Sequence, residues 1–346
     1  MSMKKVAELA GVSMSTVSRV VNDHPSISPN TAQNVRAAMA TLNFRPVVRR
    51  NRIDGGSAAS TLLIAYVVFG DSGRSTAPAF EQLIGGVSEV ADGRNVDLIF
   101  SFASDLAHIS PRVLNGDVDG LLLGGNRPGP EIQRRLEHLP SVWLMGNRQR
   151  PLWGHQVMPD NSAIGSIAAD YLADRNHDQV VGMTASNSGW SLKFRALEFE
   201  EACKERDMRV TLLNAIEPEA AGSWSPAQLA ITGAQLVDQM LSMTPRPTGI
   251  FISEDRLVAA VDAALTARGV SLGPDGSIDV ISCNNERQYL AGLQMRPATI
   301  DINAAAIGRH GMELLIDLIR NPFSAGRTRV MIAPKLIEPS RIALAV

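Results

Sequence analysis

At 346 residues, 45% of them apolar, and with a formal net charge of −2, the chain is long enough for two or three domains with sizeable cores, which excludes a disordered tail or a small disulfide-stapled module. Its two cysteines, Cys203 and Cys283, lack metal-ligand or redox spacing and suit a reducing cytosol. The opening MSMKKVAELAG has no apolar core of signal-peptide length, and no later run approaches the roughly 20 apolar residues that span a bilayer, so a cytoplasmic protein with no membrane partner is expected.

Charge is unevenly distributed. Residues 1–56 hold eight Lys/Arg against three Asp/Glu, a net of +5, which leaves −7 for the rest of the chain. A basic head on an acidic body fits contact with a polyanion at one end only. In KKVAELA, the apolar Val6, Leu9 and Ala10 fall at i, i+3 and i+4, which predicts a short helix. Gly11 ends it and Ser13 caps the next. The second helix turns Val17, Val20 and Val21 inward, leaving Met14, Ser15, Ser18, Arg19 and Asn22 outside. Ser28 followed by Pro29 predicts a third helix start, with Val35, Ala38, Met39 and Leu42 inward. Two helices joined by a tight glycine turn make a helix-turn-helix, whose second helix can offer small hydroxyls to phosphates and an arginine fork to guanine in the DNA major groove.

The word GVSMSTVSRVVN, continued by HPSISPNTAQNVRAAMATLNFRP, closely resembles the signature of the lactose/galactose repressor (LacI/GalR) family of bacterial transcriptional regulators over residues 3–46. The resemblance implies that Met14, Ser15 and Arg19 occupy base-reading positions. It implies that Ser13, Thr16, Asn22, Ser28 and Thr31 occupy positions that mainly contact phosphate. In the segment that follows, VVRRNRIDGG, it places Ile53 where the family inserts an aliphatic wedge into the minor groove. Arg49, Arg50 and Arg52 replace the usual small residues there, and like charges disfavour a helix away from phosphate. The same stretch also reads as a flexible charged linker, closed by Gly55, Gly56 and Ser57.

From Thr61 onward the pattern alternates short apolar runs (TLLIAYVVF, VDLIFSFA, VDGLLLGG, SVWLMGN, then QVVGMTAS, RVTLLNA, TGIFISE and IDVISC) with helical stretches such as 79–92 and 129–138. Buried strands interleaved with helices indicate parallel sheets covered on both faces. The expected architecture is an all-α helix-turn-helix head (1–46), a hinge (47–60) and an α/β body (61–346) of two lobes. Lobe 1 is expected at about 61–160 and 290–320, and lobe 2 at about 161–289 and 321–346. Ligands bind beyond the carboxyl ends of strands in such sheets, so two lobes frame a cleft. No phosphate loop, dinucleotide fingerprint, HExxH or GxSxG word is present, and six scattered histidines form no metal pattern. No catalytic residues, cofactor or metal are expected, and the chain is not read as an enzyme.

The body, more diffusely than the head, resembles the periplasmic-binding-protein-like effector domain of the same family. That resemblance implies effector-lining positions at Phe80 in TAPAF, Arg195 in SLKFRALEFEEA and Trp224 in GSWS. Each has a bland alternative: Phe80 as core, Arg195 paired to a glutamate on its own helix, Trp224 as a lid over a core. Asp160 is read as a helix cap. Asn147 and Asn284 stand where the family favours aspartate, and Glu254 stands where it favours asparagine. Removal of two carboxylates beside Arg195, with Arg148 and His155 nearby in sequence, favours an anionic effector, a sugar acid or sugar phosphate, over a neutral sugar; Glu254 argues against it. The expectation is a homodimeric, ligand-responsive regulator, a repressor of a carbohydrate or related catabolic operon. Its partners would be a palindromic double-stranded operator and a carbohydrate-like small molecule. The alternatives are an effector-independent DNA-binding regulator or a soluble small-molecule-binding protein.

Overall fold

The computed structural model describes residues 3–21, 27–42, 61–70, 78–146, 153–185, 190–215, 225–273, 278–293, 295–321 and 326–341. The head contains α1 (Met3–Ala10), α2 (Met14–Val21) and α3 (Pro29–Thr41) around a core of Val6, Ala7, Val17, Val20, Val35, Ala38 and Met39. Gly11, at φ +65°, takes the left-handed conformation that makes the tight turn between α1 and α2, where glycine has no Cβ penalty. Leu9, expected to face inward, is exposed instead; the inward face of α1 runs through Val6, Ala7 and Ala10, at i, i+1 and i+4, which leaves position 9 outside.

In the body, β1 (Leu62–Phe69), α4 (Pro78–Arg94), β2 (Val96–Ala103), α5 (Pro111–Leu114), β3 (Gly120–Gly125), α6 (Pro130–Leu136), β4 (Ser141–Leu144) and β5 (His155–Pro159) come first. There follow α7 (Asn161–Ala173), β6 (Gln179–Thr184), α8 (Trp190–Glu205), β7 (Arg209–Asn214), α9 (Pro226–Leu241), β8 (Gly249–Ile252) and α10 (Val258–Thr266). The chain continues through β9 (Asp279–Cys283), α11 (Arg287–Leu290), β10 (Met295–Arg296), β11 (Ala298–Asp301), α12 (Ala304–Arg320), β12 (Arg329–Ile332), β13 (Lys335–Ile337) and β14 (Ser340–Arg341). Two six-stranded sheets result, ordered β12-β5-β4-β3-β1-β2 and β13-β11-β9-β8-β6-β7; β10 and β14 form a small ribbon. All pairings within the first sheet are parallel, and in the second only β13 runs antiparallel to its neighbour.

Alternation along β1 sends Ile64, Tyr66 and Val68 to the face covered by α4 and α12, and Ala65, Val67 and Phe69 to the face covered by α5 and α6. Both faces are buried, which is why the strand reads as an unbroken apolar run. The second sheet is covered by α7 and α8 on one side and by α9 and α10 on the other.

The chain crosses between lobes at Asp160, again at Ile302–Asn303, and finally between β12 and β13. Asp160 N donates to Ile332 O (3.0 Å), tying the first crossing to the third. The lobe boundaries expected from sequence need correction. Residues 298–301 form β11 in the second sheet, so the return to lobe 1 begins with α12, and β12 at 329–332 completes the first sheet beside β5. Short apolar strands carry no mark of which parallel sheet they will join, so periodicity alone could not place them.

Candidate DNA-reading face and effector cleft

In the head, Ser13 Oγ accepts from Thr16 N (3.1 Å), which caps α2, and lies 2.7 Å from Ser15 Oγ and 2.9 Å from Thr16 Oγ1. Ser28 caps α3 in the same way, accepting from Thr31 N (3.1 Å) with Thr31 Oγ1 at 2.8 Å. Each helix thus begins with a pair of hydroxyls beside first-turn N–H groups, where the helix dipole favours an anion. Met14 (49% exposed), Ser15 and Arg19 share the exposed face of α2, opposite its buried valines. The exposed face of α2 therefore combines phosphate-type hydroxyls at its N-terminus with side chains long or adaptable enough to reach base edges. Asn22 and Ile53, with the whole hinge, lie outside the described residues.

In the body, α8 carries Arg195 into the interior beyond the carboxyl ends of β8 and β9, and its side chain is 3% exposed. Its Nε donates to Asn161 Oδ1 (2.8 Å), and its Nη1 donates to Ser253 O and to Asn284 Oδ1 (both 3.0 Å). Arg195 is therefore not paired with a glutamate of its own helix. Asn161 Nδ2 and Ser253 Oγ, both buried, have no hydrogen-bond partner among the described residues. Unmet polar groups clustered on a buried guanidinium are costly unless something else bonds them. Asn284 sits at φ +112°, an uncommon conformation for a side-chain-bearing residue of the kind that collects at binding sites.

Asn284 Nδ2 donates to Glu286 Oε2 (3.2 Å), and Glu286 Oε1 accepts from Ala79 N in the first turn of α4, on the opposite lobe (3.2 Å). Burial pushes the Glu286 carboxyl up, aided by the Glu254 charge and opposed by the Ala79 and Asn284 donors. Beneath it, Asp255 is fully buried and accepts from Ser282 Oγ (2.5 Å), Glu286 N (2.6 Å) and Thr299 Oγ1 (2.9 Å). Loss of solvent raises its pKa to about 6 in spite of these donors. Glu254 is buried and ion-paired with Arg256, whose Nε lies 2.6 Å from Oε2 and whose Nη2 donates to Oε1 (3.0 Å). Phe80, half-buried in α4, packs on Tyr66 and Phe102 with ring centroids 5.9 Å apart in each case.

Among the expected cleft residues, Arg195 and Asn284 are in direct contact, Glu254 lies in the same lobe behind its arginine, and Phe80 stands across on lobe 1. Asn147 and Trp224 lie outside the described residues, as does Arg148. His155 starts β5 at the far end of the sheet, where its Nδ1 accepts from Thr328 N (3.0 Å), so it does not attend the cleft. Glu286 brings a carboxyl group to within 3.2 Å of Asn284 Nδ2, which offsets the missing aspartate at that position and weakens the charge argument for an anionic effector. Asn161, Ser253, Asp255 and Glu286 were not singled out from sequence. The available signal was adjacency: Asn161 follows the capping Asp160, Ser253 precedes Glu254, and Glu286 lies two residues past Asn284. No group of acidic, histidine and cysteine side chains suited to a metal ion occurs among the described residues, and no helix there is long and apolar enough to cross a membrane.

Comparison with known proteins places this geometry in a lineage. Residues 2–47 match the profile of bacterial regulatory proteins of the lacI family, and residues 169–339 match the periplasmic binding protein-like domain. The ribose operon repressor of Escherichia coli K12 is 26% identical over 97% of this chain and 98% of its own length. The lactose operon repressor of the same strain is 26% identical, over 98% and 93%. Among solved structures, a complex of the transcriptional regulator CelR with cellobiose superposes with a TM-score of 0.67 at 19% identity, covering 99% of this chain and 100% of that one. The chain therefore joins a helix-turn-helix head of the lacI family type to a periplasmic binding protein-like body, and it matches the ribose and lactose operon repressors over nearly its whole length.

Proposed function

We propose that the protein is a cytoplasmic, homodimeric, sequence-specific DNA-binding repressor with no enzymatic activity, controlled by a carbohydrate-like small molecule bound between the lobes. The observation that carries this reading is the exposed α2 face, which presents Met14, Ser15 and Arg19 on a helix whose first turn is capped by Ser13. The named relatives repress ribose and lactose operons, which supports a repressor of a carbohydrate-related operon.

For the effector, Arg195, Asn161, Ser253 and Asn284 offer a concentration of donors and acceptors suited to hydroxyl groups, while Glu286 repels a carboxylate or phosphate. A neutral polyhydroxylated ligand is therefore favoured over its acid. For the dimer, β2 is an edge strand of the first sheet, and Leu98, Phe100 and Phe102 lie on one of its sides, with Phe100 43% exposed. An uncovered aromatic on an exposed edge is a liability that a second copy would remove. Two-fold symmetry then implies half-sites related by a palindrome.

Selection of bound duplexes from a random double-stranded DNA pool by the full chain tests the reading. The expected product is a palindromic site bound with strong salt dependence. Matched neutral sugars and sugar acids are then titrated against that site. Recovery of sequences no different from the starting pool would refute the DNA-reading function, and tighter response to the acids would reverse the effector class.

A further inference from the structure

Three consecutive residues after β9 each bind a different part of the molecule. Asn284 accepts from Arg195 in the effector cleft. Asn285 donates from Nδ2 to Asp301 Oδ2 (2.9 Å) and accepts from Arg296 Nη2 (2.5 Å). Asp301 also takes the N–H of Asn303 (2.7 Å), at the crossing into lobe 1, where Asn303 adopts the left-handed φ of +55°. Glu286 reaches the other lobe through the Ala79 N–H. Its own N–H is anchored on the buried Asp255, so the loop is fixed to lobe 2 while the Glu286 side chain reaches across to lobe 1.

The contact has the energetics of a catch. α4 is 17 residues long, and its first-turn N–H groups have no partner within the helix. A carboxylate there is a charge-assisted acceptor at the positive end of the dipole. With the lobes together, Glu286 is 4% exposed and the bond is shielded from water; with the lobes apart, both ends are hydrated and the bond is lost. The interaction therefore differs between orientations, which is the requirement for biasing a two-state equilibrium.

We propose that Glu286 is an interlobe latch, an internal ligand that holds α4 of lobe 1 against lobe 2 until an effector takes its place. The proposal rests on the cleft being the effector site. Asn284 bonds Arg195 through Oδ1 and Glu286 through Nδ2, so a ligand hydroxyl that captures Arg195 or Asn284 loosens the latch directly. To keep the lobes closed, that ligand must present its own oxygen acceptor to the Ala79 N–H; one that cannot leaves the lobes free to part. Glu286 thereby sorts effectors by whether they reach α4, which links ligand identity to lobe orientation.

The test is single-molecule fluorescence transfer in the full chain, with dyes on Arg134→Cys in lobe 1 and Glu201→Cys in lobe 2, both exposed positions. The native Cys203 and Cys283 are buried. Without ligand, the parent shows one predominant closed population. Glu286→Ala raises the open fraction about tenfold, the effect of one charge-assisted hydrogen bond. Glu286→Gln, which keeps an acceptor for Ala79, retains most of the closed population. If Glu286→Ala does not fold by circular dichroism, Ala79→Pro is measured instead, since it deletes the donor at a first-turn position where proline is tolerated. Unchanged populations in the folded variants would overturn the latch. The measurement needs neither operator nor effector, so it stands or falls separately from the DNA-selection result.

Discussion

Arg195 donates from Nε to Asn161 Oδ1 at 2.8 Å, joining α8 to the first residue of α7 just past the crossing at Asp160. The guanidinium is thus oriented by the protein's own groups, and Nη1 is shared between Ser253 O and Asn284 Oδ1.

Arg195→Ala is expected to orphan three acceptors, each costing about 1–3 kcal/mol if dry, while water entering the vacated space and relief from burying a charge offset most of it. The expected net loss is on the order of 1–2 kcal/mol in urea unfolding of the full chain. Arg195→Lys should recover little, because a single ammonium cannot reproduce the fork that reaches all three acceptors. Full recovery by lysine would show that charge, not fork geometry, fixes this corner.

Much of this was legible in the sequence, for identifiable reasons. Ser28-Pro29 marks a helix start by local chemistry alone, and Ser28 does cap α3. Asp160 caps α7 in the same local way. Arg195 and Asn284 were reachable through family resemblance, since both lie in recognisable words. Glu286 was not, because its partner Ala79 is 207 residues away in sequence and only the packing of the lobes brings them together. The mistaken return point of the chain has the same origin: pairing between β11 and β9, or between β12 and β5, is tertiary information.

Arg19 stands on the exposed face of α2. Arg19→Ala is expected to cost about 1–3 kcal/mol at the selected operator and to relax base preference at one position per half-site. Anisotropy titrations on operator and random duplexes decide it. An equal loss on both would reduce Arg19 to a phosphate contact.

Phe100 projects from the edge strand of the first sheet. Phe100→Asp should weaken self-association at least about tenfold, since an aspartate at a dry aromatic contact must be desolvated without a partner. Sedimentation velocity over a concentration series measures the shift. A dimer as tight as the parent would place the interface elsewhere.

The helices α4 and α12 approach closely because two glycines let their backbones touch: a Cβ at Gly308 would lie 2.2 Å from Leu83 O, and one at Gly86 would lie 2.0 Å from Ala305 O. Gly308→Ala would ordinarily favour a helix interior, but here it must push the helices apart. A net destabilisation of about 1–3 kcal/mol is expected by thermal or urea unfolding. A gain in stability would mean that the crossing can widen freely.

Asn284 is the residue through which the cleft and the latch communicate, and Asn284→Asp separates its two roles. The aspartate keeps an acceptor for Arg195 Nη1 and strengthens it by adding charge. It also replaces the Nδ2 donor with an oxygen about where Glu286 Oε2 is now accepting at 3.2 Å. Two carboxylates at that separation cannot both ionise cheaply, so one of them titrates still higher than the already raised Glu286. The other charges facing the pair are Arg195, which lowers the cost, and Glu254 and Asp255, which add to it; Arg256 is engaged with Glu254. A carboxyl whose pKa is raised on folding takes up a proton in the folded state first, so stability is gained as pH falls through that folded value. The variant should therefore be less stable than the parent by on the order of 1–2 kcal/mol at pH 7, with the gap narrowing by pH 5 as the pair comes to share a proton. Urea unfolding of both chains at the two pH values measures the gap. A difference that stays constant or widens on acidification would mean that the introduced carboxylate turns away from Glu286 toward Arg195, leaving the latch intact.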